Sequence, residues 1–176
     1  KLNYLMGTLT NLSRMEQAMI QLHPQCASLK ETLLRAVNGV YLKANDKQIE
    51  IEMTEFTDLK LCHDVKWTAE AFSNVLDNAV KYSPEGSKVE IRVIPYQSYV
   101  SVEVEDEGIG VEKSEYTEIF KRFYRGRKAE VETQEGAGVG LYLVRKILEG
   151  QGGSVRVQPS RKGGSVFQMM LPKEAR

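Results

Sequence analysis

The sequence predicts an α+β fold, a two-layer α/β sandwich in which a mixed sheet carries helices on one face. Three observations point there. Strand-like alternation and helical periodicity succeed one another along the chain instead of segregating into halves. Neighbouring strand candidates are joined by short polar turns, as hairpin-linked partners are. The 176 residues, 41% hydrophobic and 27% charged, suffice for one well-buried domain with a small appendage.

The first element is "KLNYLMGTLTNLSRMEQAMIQL", where Leu2, Leu5, Leu9, Leu12 and Met19 recur at spacings of three and four and Glu16 interrupts the seam. That narrow stripe suits a helix packed on another helix. It reads either as a helix folded onto its own domain or as one arm of a bundle. His23-Pro24 ends it, because a residue before proline leaves the α region. "SLKETLLRAVNGVYLKAN" is helical, with Leu29, Leu33, Leu34, Val37, Val40 and Tyr41 on one face.

"KQIEIEM" and "LKLCH" follow as strands. "TAEAFSNVLDNAVKYS" is the next long helix, stopped by Pro84 and the Glu85-Gly86 turn. "KVEIRVIP" and "SYVSVEVEDEG" are strands joined around Gln97-Ser98. Residues 111 to 135 break the rhythm, and a loop of that length is a lid, a binding loop or disorder. "GVGLYLVRKILEGQGG" is a glycine-bounded helix, and "SVRVQP" with "GGSVFQMMLP" forms a closing hairpin.

Formal charge is zero, with 24 residues of each sign, so a dominant nucleic-acid footprint is excluded. Cys26 and Cys62 are far apart and form no CxxC pair, which argues against a zinc site or a disulfide framework. They read as buried small hydrophobes in a reducing cytosol. No apolar run of about 18 residues exists to span a membrane. A start at Lys1 instead of Met points to a piece of something longer.

At about 100° per residue, Phe72, Val75, Leu76, Ala79 and Val80 form a core stripe, with Asn74, Asn78 and Lys81 nearly opposite. Such a sector is either a solvated face or a ligand face. Asparagine is a poor helix former, and Glu, Lys or Gln would cost less on an idle surface. An amide oxygen is a hard neutral ligand that suits Mg²⁺, and a lysine one turn on can hold a phosphate.

On the strand, Asp106 continues the apolar side of Val100, Val102 and Val104. A carboxylate there needs a donor, such as a purine's exocyclic amine, unless it only begins a turn with Gly108. Gly108 and Gly110 let backbone pass close to a flat ring. "GAGVGL", Gly136 to Leu141, places glycines before a helix, where free N–H groups and the helix dipole attract phosphate. It is neither a P-loop nor a dinucleotide fingerprint. In "IFKRFYRGRK", Phe120, Phe123 and Tyr124 alternate with Lys121, Arg122, Arg125 and Arg127. Single-stranded nucleic acid is one reading. Aromatic anchors for a lid, with an arginine facing phosphate, are the simpler one.

In this order the motifs resemble those of the catalytic, ATP-binding domain of bacterial sensor histidine kinases, within the gyrase, heat-shock chaperone, histidine kinase and mismatch-repair ATPase family. "NVLDNAVKYSPEGS" matches the N box, "DEGIG" the first glycine box, "IFKRFYRG" the F box and "GAGVGLYLV" the second glycine box. The resemblance covers about Leu22 to Pro172. It implies ATP with Mg²⁺ as cofactors, Asn78 as the metal ligand, and Lys81 near the phosphates. Asp106 would read the adenine amine, with Gly108 and Gly110 beneath the base. The nucleotide site would also include Asn74, Tyr82, Phe120, Phe123, Gly136, Gly138, Gly140 and Leu141. Asn74, Lys81, Arg122 and Arg125 would serve catalysis.

Hydrolytic relatives carry glutamate at the position of Asn74, and an amide lacks the basicity to activate water. The implied reaction is therefore transfer of the γ-phosphoryl to a histidine, for relay to a response regulator. Residues 1–21 would be the end of a dimerisation hairpin helix, and 22–176 the catalytic domain with a lid at about 111–136. The acceptor would lie on an upstream hairpin, since neither His23 nor His63 matches its motif, and both are expected to be structural. The full-length protein would be a homodimeric sensor in the cell membrane with this domain in the cytoplasm. Two alternatives remain open, a related protein-serine kinase of the anti-sigma-factor type and a nucleotide-binding scaffold without catalysis.

Overall fold

The computed structural model describes residues 21–121, 124 and 140–174. The expected first helix, with its seam from Leu2 to Met19, lies outside them. The described chain starts with β1 (Gln25–Ser28), α1 (Leu29–Asp46), β2 (Glu50–Met53) and β3 (Lys60–His63). It continues with α2 (Val65–Tyr82), β4 (Lys88–Pro95) and β5 (Tyr99–Glu105). Two 3₁₀ turns, Lys113–Glu115 and Glu118–Phe120, precede α3 (Gly140–Glu149), β6 (Ser154–Pro159) and β7 (Ser165–Pro172).

The main sheet has the order β2-β4-β5-β7-β6, with β2 parallel to β4 and the other pairs antiparallel. It is mixed, as the sequence predicts. Alternation decides its two faces. Val89, Ile91, Val93, Val100, Val102, Val104, Phe167, Met169 and Leu171 are all buried on the face that the helices cover. The other face carries Arg92, whose guanidinium pairs with Glu90 at 2.7 Å, Glu105 at 2.8 Å and Glu103 at 3.3 Å.

Capping sets the helix starts. The Ser28 hydroxyl accepts from the Glu31 amide at 3.1 Å, and the Asp64 carboxylate accepts from the Trp67 amide at 2.8 Å. Asp64 therefore starts α2 at Val65, ahead of the predicted Thr68. Central α2 buries Phe72, Val75, Leu76, Ala79 and Val80, the stripe expected of it, and packs against both α1 and α3.

Three expectations are corrected. On α1, Leu34 and Tyr41 are 44% and 59% exposed, and Thr32, Ala36 and Ala44 take the buried face with Leu29, Leu33 and Val40. The buried positions 29, 32, 33, 36, 40 and 44 follow spacings of three and four and form one stripe, and Leu34 and Tyr41 fall outside it. Gln25–Ser28, of which the sequence assigns only Ser28, to the helix that follows, pairs antiparallel with β3 as a second, two-stranded sheet. That pairing sets Cys26 directly opposite Cys62, and neither is the buried hydrophobe expected: both are free, Cys26 exposed and Cys62 half-buried, because they take the outer face of the pair.

His63 has the structural role expected of it. Its ring is fully buried, Nδ1–H donates to the Leu61 carbonyl at 2.9 Å, and Nε2 lies in hydrogen-bond contact with the Thr32 hydroxyl oxygen at 2.8 Å. Burial lowers its pKa and keeps the imidazole neutral.

Candidate functional site

Asp106 emerges from β5 into a pocket made by backbone. It is 5% exposed. Its amide donates to the Ser165 carbonyl at 2.9 Å, extending the β5–β7 ladder by one residue. Carboxylate Oδ1 accepts from the Gly108 amide at 2.9 Å and the Ser165 amide at 3.2 Å. Both bonds fall on the same oxygen, which leaves Oδ2 available to a donor from elsewhere. Burial pushes the carboxyl up to about 6, against the opposing pull of those two amides. The turn with Gly108 and the inward carboxylate, alternatives at the level of sequence, coexist in one geometry.

The glycines around it are needed for close packing. A Cβ on Gly108 would lie 2.8 Å from the Tyr82 carbonyl oxygen, so this turn sits directly against the end of α2. Gly164, in the β6–β7 turn, is tighter still. A Cβ there would lie 2.1 Å from the Asp106 carbonyl oxygen, 2.5 Å from its Oδ1 and 2.6 Å from the Gly108 nitrogen. Gly110 has φ 73°, in the left-handed region.

Asn74, Asn78, Lys81 and Tyr82 line one side of the last three turns of α2, and all four are half-buried. Asn74 Nδ2 donates to the Glu70 carbonyl at 3.0 Å, one turn back. That turns its oxygen towards the start of α3, where a Cβ on Gly140 would lie 3.6 Å from it. Gly140 and Leu141 open the described part of α3, the end at which a helix dipole favours an anion. Lys81 Nζ lies 6.0 Å from the centre of the Tyr82 ring.

Phe120 is 4% exposed and meets Phe167 of β7 edge-on, ring centres 6.1 Å apart. Its ring anchors the segment after β5 to the core. The Tyr124 hydroxyl donates to the carboxylate of buried Glu115 within the same segment. Arg122, Phe123, Arg125, Gly136 and Gly138, together with most of the expected lid, lie outside the described residues. Among the described residues no cluster of three His, Cys, Asp or Glu side chains could hold a metal.

Two positioning residues escaped the sequence reading. Gly164 closes the pocket around Asp106, and the Gly163-Gly164 pair in the last hairpin signals only a turn. Lys47 caps the end of α2, its Nζ donating to the carbonyls of Val80 at 2.8 Å, Lys81 at 3.1 Å and Ser83 at 2.6 Å. Its partners lie 33 to 36 residues away, beyond any local signal.

The profile of the histidine kinase-, DNA gyrase B- and HSP90-like ATPase family matches residues 63–175. The chain is 28% identical over 172 residues to the sensor-like histidine kinase SenX3 of Mycobacterium tuberculosis, covering 98% of this chain and 42% of that protein. It is 29% identical over 177 residues to the histidine-protein kinase/phosphatase MprB of Mycolicibacterium paratuberculosis, covering 98% of this chain and 33% of that protein. The chain thus spans less than half the length of these curated relatives.

A solved mycobacterial sensor histidine kinase MprB superposes with a TM-score of 0.76 at 26% identity, covering 88% of this chain and all of that one. Full-length ShkA, solved with AMPPNP, gives 0.82 at 25% identity, covering 99% of this chain and 37% of that one.

Proposed function

The chain belongs to the histidine kinase-, DNA gyrase B- and HSP90-like ATPase family, and on that premise we propose that it is the ATP-binding catalytic domain of a sensor histidine kinase. The observation that carries this reading is Asp106. A buried carboxylate with two amides on Oδ1 and none on Oδ2 fits a ligand that brings its own donor, as the exocyclic amine of adenine does.

The residues that would hold the phosphates lie on the half-buried face of α2. Lys81 would supply a positive charge, and the N-terminal end of α3 its dipole. Asn78 would hold Mg²⁺ through its amide oxygen. A single neutral ligand fits a cation that keeps its waters and takes most of its other ligands from phosphate. When bound, Mg²⁺ neutralises phosphate charge. Asn74 orients without acting as a base, because its nitrogen is engaged by Glu70 and its oxygen is not basic. Water is left unactivated, and the γ-phosphoryl is kept for a protein acceptor. Arg122 and Arg125 would offset charge on the transferring group.

In the whole protein, residues 1–21 would end a dimerisation hairpin, and the lid at about 111–136 would fold over ATP. The acceptor histidine would sit upstream on that hairpin in a homodimer, for relay to a response regulator. Among the described residues no helix is long and apolar enough to cross a membrane. The membrane anchor of such a sensor would lie elsewhere in the protein, with this domain in the cytoplasm.

The test uses the protein extended upstream through the hairpin, incubated with Mg²⁺ and γ-labelled ATP. Label lost in acid and stable in base is the expected phosphohistidine. Label that survives acid would mean a hydroxyl acceptor and overturn the assignment.

A further inference from the structure

Cys26 and Cys62 stand directly opposite each other in the antiparallel β1–β3 pair. Just beyond the ladder, the Leu29 amide donates to the Leu59 carbonyl at 2.8 Å. Extending the register by one residue makes 29 and 59 a hydrogen-bonded pair. Hydrogen-bonded and non-hydrogen-bonded pairs alternate along such a ladder, so three residues back Cys26 and Cys62 form a non-hydrogen-bonded pair. Opposed residues of that kind lie about 4.5 Å apart at Cα. A disulfide spans roughly 4.4–6.8 Å between Cα atoms, so the spacing admits one without moving the backbone.

The two side chains share a face, because opposed residues project to the same side of a sheet. It is the outer face, since Leu61 and His63 take the buried side of β3 while Cys26 is exposed and Cys62 half-buried. Both thiols are free. Among the described residues no third His, Cys, Asp or Glu joins them, so the pair lacks the ligand set of a metal site.

We propose that Cys26 and Cys62 form a reversible cross-strand dithiol/disulfide site whose substrates are small disulfides, RS–SR. The exposed Cys26 thiolate attacks one sulfur of RS–SR, forming Cys26–S–S–R and releasing RS⁻. The Cys62 thiolate then attacks the Cys26 sulfur and expels the second RS⁻. Two protein thiols are oxidised to one disulfide, one RS–SR is reduced to two RSH, and the cysteine protons go to the two leaving thiolates. The bond closes the loop that carries α1 and β2 and ties the segment ahead of α1 to β3. An exposed disulfide of this kind belongs to the labile class.

The test takes the reduced chain, freed of reductant, and titrates it with oxidised glutathione, blocking remaining thiols with N-ethylmaleimide before intact-mass analysis and non-reduced peptide mapping. The expected product is monomeric, lighter by two hydrogens, free of adduct, and yields a linked Cys26–Cys62 peptide that dithiothreitol separates. Cys26→Ser and Cys62→Ser should each lose that product and retain a glutathione adduct on the remaining cysteine. Stable adducts on both cysteines of one chain, covalent dimers as the main product, or unreacted thiols would each overturn the proposal.

Discussion

The two ends of the candidate site are built differently. At the Asp106 end, backbone packs on backbone, with Gly164 and Gly108 so close to Asp106 and Tyr82 that a single methyl group would collide. Two amides fix the carboxylate, and the β5–β7 ladder continues through it. At the α2 end, Asn74, Asn78 and Lys81 project from one helix, and the amide nitrogen of Asn74 is committed only to its own helix. On the proposed reading the first end would be preorganised to take one flat group, and the second would offer ligands for a charged partner to draw together. Substitutions at the first should therefore cost affinity or fold, and those at the second should cost affinity alone.

The largest expected effect is at Asp106. Asp106→Asn keeps an oxygen for the two amides but turns a donor towards the adenine amine. A charge-assisted hydrogen bond contributes about 1.5–3 kcal/mol, so ATP affinity should fall about 100-fold. Chemical denaturation should show a stability change under about 1 kcal/mol. Unchanged ATP affinity in calorimetry would break the contrast between the two ends.

Gly164→Ala tests the packing. Its Cβ would sit 2.1 Å from the Asp106 carbonyl oxygen, which is backbone and cannot swing away. A loss of about 2 kcal/mol in denaturant unfolding is expected, with weaker ATP binding beside it. Stability equal to the parent chain would show that the β6–β7 turn is looser than described.

Asn78→Ala sharpens the other end. Affinity for ATP in Mg²⁺ should drop about tenfold, the difference between Mg²⁺ and chelator should shrink, and stability should stay within about 0.5 kcal/mol. A large loss of stability would instead make Asn78 part of the scaffold.

Protonation gives the gentlest test. Asp106 titrates at about 6 when no ligand is present, and only its ionised form accepts fully from an amine. Lowering the pH from 7 to 5 takes the ionised fraction from about nine-tenths to about one-tenth, so apparent ATP affinity should fall about tenfold. The loss comes on the acid side, because the carboxyl must give up a proton to bind. In Asp106→Asn that slope should vanish.

What could be read in the sequence follows from the range of the interactions involved. The stripe of α2, the alternation of β4, the Val100–Val102–Val104 side of β5 and the inward Asp106 are periodic features, and each stands where periodicity places it, while β5 and β7 are buried on both faces over most of their length. The polar sector Asn74–Asn78–Lys81 was visible because it violates helix propensity. Gly164 and Lys47 were not, since each acts on residues tens of positions away. β1 offers four residues without alternation, so only its pairing with β3 makes it a strand, and that pairing alone brings Cys26 to Cys62. Leu34 and Tyr41 lie off the buried stripe because helical spacing gives that face to Thr32, Ala36 and Ala44, which hydrophobicity alone does not single out.

The most direct measurement is a calorimetric titration of this chain with ATP and with GTP in Mg²⁺. Guanine presents a carbonyl where adenine presents its amine, so Oδ2 of Asp106 would face an acceptor instead of a donor. Binding of ATP with GTP weaker by about 100-fold is the predicted result. Equal affinities, or no binding of either, would contradict the assignment of Asp106 as the residue that reads the base.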